Sequence, residues 1–270
     1  MIPLIVISLR RSKHRRASVA AHLDALHLPF SFFDAIDGNE LPIEEVRAAS
    51  RRPCPQRPGP LLPTELGCIA SFREVCRRIA SGKEEFVCVL EDDVILDGRI
   101  RSLLELSMLR RLPSFDILRI HATNSLHSLP LGVFDGFSLH APYWPGWGMY
   151  AQIFSRTGAS KTAKGLARPW MAGDMMVFHD CRVPGLRIVE VTPPLASHPQ
   201  ASDDSSTIDP EGARRAPRAT PSRYERLRLS AYTCLLHCRL LRNFIRQWGF
   251  YSLICLVPGF KSRCARTGVR

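Results

Sequence analysis

The chain has 270 residues, 45% of them hydrophobic and 23% charged, which is the composition of an ordinary soluble globular protein with room for one large domain or two small ones. Its net charge of +12 gathers at one end: residues 211–270 hold 13 Arg or Lys against Glu211 and Glu225, while residues 1–210 are close to neutral. A neutral body argues against a protein-wide nucleic-acid surface, so no nucleic acid is expected as a partner, whereas a basic tail suits an anionic surface.

No signal peptide is visible. Met1 leads straight into the apolar run Ile2–Ile7, which is too short for a secretory core or a membrane span, and the basic cluster follows it. Ile2–Ser8 reads as a buried strand. Arg10, Arg11, Lys13, Arg15 and Arg16 mark the junction to a helix over Ala17–Leu26, with Ser12 as its N-cap. Phe30–Ile36 is a second strand, and Asp37-Gly38-Asn39 turns the chain, so the opening is β-α-β, the unit of a parallel sheet. Residues 51–63 are an Arg/Pro-rich loop. Thr64 is placed to cap a helix over Glu65–Ala80 that Gly82 stops. Strands follow at Phe86–Leu90, Phe115–Ile120, Met149–Phe154 and Leu186–Val191, with a helix at Thr157–Leu166. Residues 123–148 are rich in Gly, Pro and aromatics, and 200–222 read as a polar linker.

Tyr224–Gly249 has helical spacing of Leu229, Tyr232, Leu236, Leu240, Phe244 and Trp248, with arginines between them. Two readings stand: a basic amphipathic helix in a membrane interface, or a helix packed on the body. The concentration of charge favours the first. Nine cysteines, an odd number without an export signal, read as reduced thiols of a cytosolic protein. Cys234 and Cys238 flank His237, but no second pair at zinc-ligand spacing accompanies them.

The acids Glu91-Asp92-Asp93 end the apolar run 86–90. Three carboxylates held together repel unless something positive sits on them, and a divalent cation shared with a phosphate is the usual solution. A solvated turn is the alternative, since exposed acids in water repel weakly. The apolar run favours the metal, because it suits a strand buried on both faces and the ends of such strands bind ligands in open α/β sheets.

Four ordered segments resemble glycosyltransferase family 25, the bacterial lipopolysaccharide and lipooligosaccharide glycosyltransferases. They are Ser12-Lys13-His14-Arg15-Arg16; Phe32–Gly38; Glu65–Ser71 followed by Leu90–Val94; and Gly146–Tyr150 with Asp174 and Ser206-Thr207-Ile208 beyond. The resemblance implies an α/β, GT-A-like nucleotide-sugar transferase fold with a mostly parallel central sheet over residues 1–210; composition and helical spacing add a linker at 211–222 and a basic helical tail at 223–270. It implies a metal-dependent inverting transfer of a sugar, galactose being the candidate, from a UDP-sugar to a lipid-linked oligosaccharide acceptor. The protein would then be cytoplasmic and peripheral on the bacterial inner membrane, meeting anionic lipid through its tail. The acidic triad takes the part of the family's DxD motif. Asp93 is the first choice of ligand for Mn²⁺ or Mg²⁺, with Glu91 or Asp92 assisting or meeting the ribose; His198, near a position where the family often has Gln, either completes the shell or sits in a surface loop. Ser8, Arg10, Arg15, Arg16, Asp37, Gly38, Glu91 and Asp92 form the expected donor site, and Asp174 is the expected base. Trp144 and Trp147 either stack on sugar rings or plug a core edge. Phe72 stands where the family has His, which motivates an alternative: a catalytically impaired, membrane-associated protein of the same fold that binds a nucleotide-sugar or glycan.

Overall fold

The computed structural model describes residues 1–50, 61–121, 126–179, 185–198 and 223–249. Most of the Arg/Pro loop, the 211–222 linker, Ser206-Thr207-Ile208 and the end of the tail lie outside the described residues. The order is β1 (Leu4–Ser8), α1 (Lys13–Ala25), β2 (Ser31–Asp34), a 3-10 turn (Gly38–Glu40), α2 (Ile43–Ser50), α3 (Pro63–Ser81), β3 (Phe86–Glu91), β4 (Ile95–Leu96), α4 (Ile100–Leu103) and α5 (Leu106–Arg111). Then come β5 (Ile117–Arg119), β6 (Leu126–Phe134), β7 (Phe137–Trp144), β8 (Ala151–Ser155), α6 (Arg156–Gly165), α7 (Gly173–Phe178), β9 (Ile188–Thr192), β10 (Ala196–Ser197) and α8 (Arg223–Trp248).

Eight strands make one sheet in the order β2-β1-β3-β8-β5-β9-β7-β6, and β4 pairs with β10 in a small antiparallel ribbon. β2, β1 and β3 are parallel neighbours, as are β5 and β9. β8 opposes β3 and β5, and β7 opposes β9 and β6. Most strands therefore run one way, as expected of this α/β chain, and the two reversed strands make the sheet mixed.

Strand side chains alternate between faces, and here the alternation fills two cores. Leu4 and Val6 of β1 and Phe86, Cys88 and Leu90 of β3 enter one layer, closed by Val19 and Leu23 of α1 and by Leu103 and Leu109. Ile7, Val87 and Val89 enter the other, closed by Leu66, Ile69 and Cys76 of α3, Ala159 of α6 and Met175 of α7. The run 86–90 is apolar throughout because both of its faces are covered. Burial pushes the Cys88 thiol up to about 12, which makes it an inert core residue. Cys234 and Cys238 are exposed free thiols.

Three local expectations need correction. Ser12 occupies the cap position of α1, which starts at Lys13, but its side chain makes no capping hydrogen bond. α3 starts at Pro63, and Glu65 rather than Thr64 secures its start by accepting from the Leu62 backbone N–H at 2.8 Å. The Gly/Pro/aromatic stretch holds the β6–β7 hairpin, whose turn puts Asp135 and Gly136 at φ 46° and 84°. Positive φ at both central residues is the turn that suits strand twist, and Asp-Gly is a favoured pair for it.

The tail helix also differs from the preferred reading. Leu236, Leu240 and Phe244 are buried, Phe244 against Tyr143 of β7 at a ring distance of 5.9 Å. Tyr232 meets Trp170 at 6.2 Å, and Arg187 lies over Trp248 at 5.1 Å. The apolar side expected to enter a membrane packs on the body instead. Among the described residues no helix is long and apolar enough to cross a membrane.

Candidate active site

The acids sit where β3 leaves the sheet. Ser8, at the end of the parallel neighbour β1, is buried and donates from Oγ to Asp92 Oδ2 at 2.5 Å. Arg15 on α1 reaches across with Nη1 at 3.0 Å from Asp92 Oδ1 and 3.2 Å from Asp93 Oδ2. The β-α-β opening thus places a hydroxyl and a guanidinium on the triad. Asp92, held through both oxygens, anchors Arg15.

Asp93 and Glu91 face a different partner. β10 pairs with β4 in the register Ser197↔Ile95, so the next residue, His198, falls beside the turn that carries Asp93. His198 Nδ1 lies 3.3 Å from Asp93 Oδ1. Ligand atoms of Glu91, Asp93 and His198 come within 4.8 Å of one another. Asp93 Oδ1 is buried and, among the described residues, makes no hydrogen bond, so its contact with His198 is an ion pair with poor bonding geometry.

Electrostatics separate the three. Burial, then the charge of Asp93, pushes the Glu91 carboxyl up to about 7. For Asp93, burial acts upward, but His198 and Arg15 outweigh it and hold the carboxyl below its ordinary value. For His198, burial acts downward, and Asp93 and Glu91 outweigh it, holding the imidazole above its ordinary value. A cation at this spot would relieve the repulsion and satisfy the orphaned oxygen, and carboxylates with one imidazole are donors a divalent ion accepts. The residues present fit such an ion.

Asp174 lies in the first turn of α7. Its Oδ1 accepts from the Met175 N–H at 2.8 Å and its Oδ2 from the Gly148 N–H at 3.0 Å. Its charge raises both the Glu91 carboxyl and the Arg119 guanidinium, so it lies within electrostatic reach of both.

Other expected donor residues are engaged elsewhere. Arg10 and Arg16 both pair with Asp34, Arg10 at 2.7 Å, and Arg16 also donates to the Ser8 carbonyl at 2.9 Å. Asp37 pairs with Arg11 and caps the 3-10 turn by accepting from the Asn39 N–H at 3.1 Å. Gly38 packs backbone to backbone on α3, where an added Cβ would sit 1.8 Å from the Pro63 carbonyl oxygen. Gly67 faces it, and Ser71 Oγ accepts from the Ile36 N–H at 2.8 Å. The motif segments around Gly38 and Gly67 therefore dock on each other. Phe72, beside them, is buried in the core.

A buried polar group escaped the sequence reading. Arg119 is fully buried in β5 and pairs with Glu190 Oε1 at 3.0 Å, its direct partner in the β5–β9 register. It also donates to the Trp147 and Gly148 carbonyls at 2.8 and 3.1 Å and meets His121 Nε2 at 3.1 Å. Burial and then the Arg119 charge push His121 down to about 3, so its ring is neutral, accepting at Nε2 and donating from Nδ1 to the Ala151 carbonyl at 2.7 Å. His121 packs on Tyr150 at 4.1 Å, and Tyr150 on His198 at 3.8 Å. A charged residue inside each of two apolar strand runs was the available signal, because such a charge is buried only with a partner.

A cavity of about 780 Å³ lies at the opposite end of β3 and β8 among Lys83, Phe86, Arg110 and Arg156, away from these acids.

Fold and geometry together define an α/β protein with a carboxylate–imidazole cluster at the end of an interior strand of its sheet. Residues 1–129 match the model of Glycosyltransferase family 25 (LPS biosynthesis protein), so the family resemblance of the motifs holds over that stretch. The match includes the triad and stops before Asp174 and His198. A Glycosyltransferase 25 family member of Anopheles gambiae is 29% identical over 122 residues, 43% of this chain and 21% of that protein. One of Aedes aegypti is 29% identical over 96 residues, 34% of this chain and 16% of that protein. The chain thus matches about a fifth of the length of these curated relatives. Among solved structures, a glycosyltransferase involved in glycosylation of the major capsid of PBCV-1 aligns with a TM-score of 0.39 at 11% identity, covering 75% of this chain and 94% of that one. A Drosophila beta-1,4-galactosyltransferase 7 mutant in complex with manganese, UDP-Gal and xylobiose aligns with a TM-score of 0.37 at 12% identity, covering 82% of each chain.

Proposed function

We propose that the protein is a metal-dependent inverting glycosyltransferase that moves a sugar, with galactose as the candidate, from a UDP-sugar to a lipopolysaccharide- or lipooligosaccharide-type acceptor. The observation that carries this reading is the meeting of Glu91, Asp93 and His198 around a buried Asp93 oxygen, ion-paired with His198 at 3.3 Å, at the end of β3. The family match over residues 1–129 supports it.

Glu91, Asp93 and His198 would hold the ion, and the mixed oxygen and nitrogen set suits Mn²⁺ better than Mg²⁺, which keeps to oxygen. Bound there, a divalent cation supplies positive charge for a departing nucleotide diphosphate. Arg15 faces the same charge from α1, kept in place by Asp92. Ser8 fixes Asp92 and so fixes Arg15.

Asp174 is the base. Two backbone N–H groups orient its carboxylate, and each oxygen retains a lone pair for the acceptor. The acceptor hydroxyl gives its proton to Asp174 as its oxygen bonds to the anomeric carbon, while the bond to the diphosphate oxygen breaks on the opposite face. Attack opposite the leaving group inverts the carbon.

The acceptor class sets this chemistry at the cytoplasmic face of a bacterial inner membrane. The outward side of α8, with exposed Leu235, Leu241, Arg242 and Arg246, is the surface offered to anionic lipid. The deciding experiment is hydrolysis of a panel of UDP-sugars with Mn²⁺, with chelator, and with Asp93→Ala. Turnover of one donor that chelator abolishes is expected. Equal turnover with and without metal sinks the metal assignment, and no turnover of any donor sinks the reading.

A further inference from the structure

The two tryptophans of the 143–150 stretch have different surroundings. Trp144 is half-buried between His179 at 5.1 Å and His237 of α8 at 4.6 Å, so it closes a core edge. Trp147 keeps 50% of its surface in solvent, although the burial of so large an apolar group is favourable. Its mounting is rigid. Arg119, fully buried, holds the carbonyls of Trp147 and Gly148 from beneath. The Gly148 N–H is held by Asp174, at a φ of +91° that favours glycine. His179 braces the indole edge-on at 4.9 Å and is itself tied through Nε2 to the Pro145 carbonyl at 2.6 Å.

An exposed indole on a fixed backbone, one residue from a backbone N–H bonded to a carboxylate, has the makings of a carbohydrate subsite. A pyranose presents an apolar C–H face that stacks on an aromatic ring, and hydroxyls that donate to a carboxylate. Because the turn is already ordered, binding there loses little further conformational freedom. We propose that Trp147 and Asp174 form the subsite for a pyranose ring of the acceptor, with the indole taking its C–H face and Asp174 accepting from a hydroxyl. The proposal rests on the transferase reading above, and it names which element of the chain meets the acceptor.

The test is saturation-transfer NMR of the full chain with three probes: the methyl β-glycosides of galactose, glucose and N-acetylglucosamine. Saturation on the ring C–H protons of at least one probe is expected. Trp147→Ala should weaken it about three- to tenfold, while Trp147→Phe, which keeps an aromatic face, retains most of it. If Trp147→Ala loses its wild-type circular dichroism, Trp147→Leu is compared with Trp147→Phe instead. The subsite is overturned if no probe is saturated in the wild type, or if the folded non-aromatic variant matches it. Wild type that hydrolyses a UDP-sugar yet fails this test leaves the transferase reading standing. Wild type that binds a glycoside through Trp147 yet turns over no donor does the reverse.

Discussion

Three carboxylates and one imidazole have divided their work by position. Asp92 spends both oxygens on Ser8 and Arg15, whereas Asp93 keeps a buried oxygen without a hydrogen bond among the described residues. Asp93→Ala should therefore lower Mn²⁺-dependent donor hydrolysis about 100-fold or more. For Asp174→Asn, which keeps the shape but removes the proposed base, turnover about 10²- to 10⁴-fold below wild type is expected, and a normal rate would rule the base out. A pH dependence follows from Glu91, whose carboxyl is raised from 4.5 to about 7 by burial and then by Asp93. A raised acid costs stability as pH climbs: nothing is lost below the ordinary value, and the full cost is present above about 7. A metal ion binds the deprotonated acid and the neutral imidazole, so the rise in Tm on adding Mn²⁺ should be larger at about pH 8 than at about pH 5.5. Equal rises at the two pH values, read by scanning calorimetry, would remove Glu91 and His198 from the ligand set.

Elements whose residues repeat one local rule were legible in the sequence. The run 86–90 announced a doubly covered strand, whereas Ser8 and Arg15 entered the expected donor site only through the family resemblance, and their contacts with Asp92 depend on the fold. The hairpin over β6 and β7 was hidden because Gly, Pro and aromatics mask its alternation, although Asp135-Gly136 marked its turn. Arg119 and Glu190 were out of reach for another reason: each lies in a mostly apolar run that holds a second charge, Asp116 or Arg187, and only the β5–β9 register shows them to be partners. His198 was visible as a residue, but its place beside Asp93 depends on the short β4–β10 pairing. The docking of the 3-10 turn on α3 was likewise invisible, because Asp-Gly reads as a turn wherever it occurs. Here the glycines answer a close approach: a Cβ on Gly67 would lie 2.5 Å from the Gly38 nitrogen and 2.6 Å from the Ile36 carbonyl oxygen. These are backbone atoms that yield only if the helix moves. Gly67→Ala should thus cost about 1–3 kcal/mol in urea denaturation. A variant as stable as wild type would mean that the turn and α3 separate at little cost.

At the scale of the whole molecule, the basic tail is where charge and packing pull the reading apart. Nearly all of the net charge lies in residues 211–270, which favours an anionic surface, yet Leu236, Leu240 and Phe244 of α8 are buried. A helix cannot give one apolar face both to the body and to a bilayer. The proposed membrane contact is therefore assigned to the other face, where Arg242 and Arg246 accompany Leu235 and Leu241. The two faces predict separable effects. Leu240→Ala removes buried contacts and should lower stability by about 2–3 kcal/mol, the lower part of the range for a large-to-small core change. Replacing Arg242 and Arg246 by Gln leaves that packing alone, because both side chains are exposed, and each basic residue near an anionic leaflet contributes about 1 kcal/mol of attraction. The double substitution should cut flotation with anionic liposomes about tenfold or more at unchanged Tm, and the loss should shrink as salt screens the surface. Wild type that stays at the bottom of the gradient would make α8 a structural clamp of the body with its arginines in water.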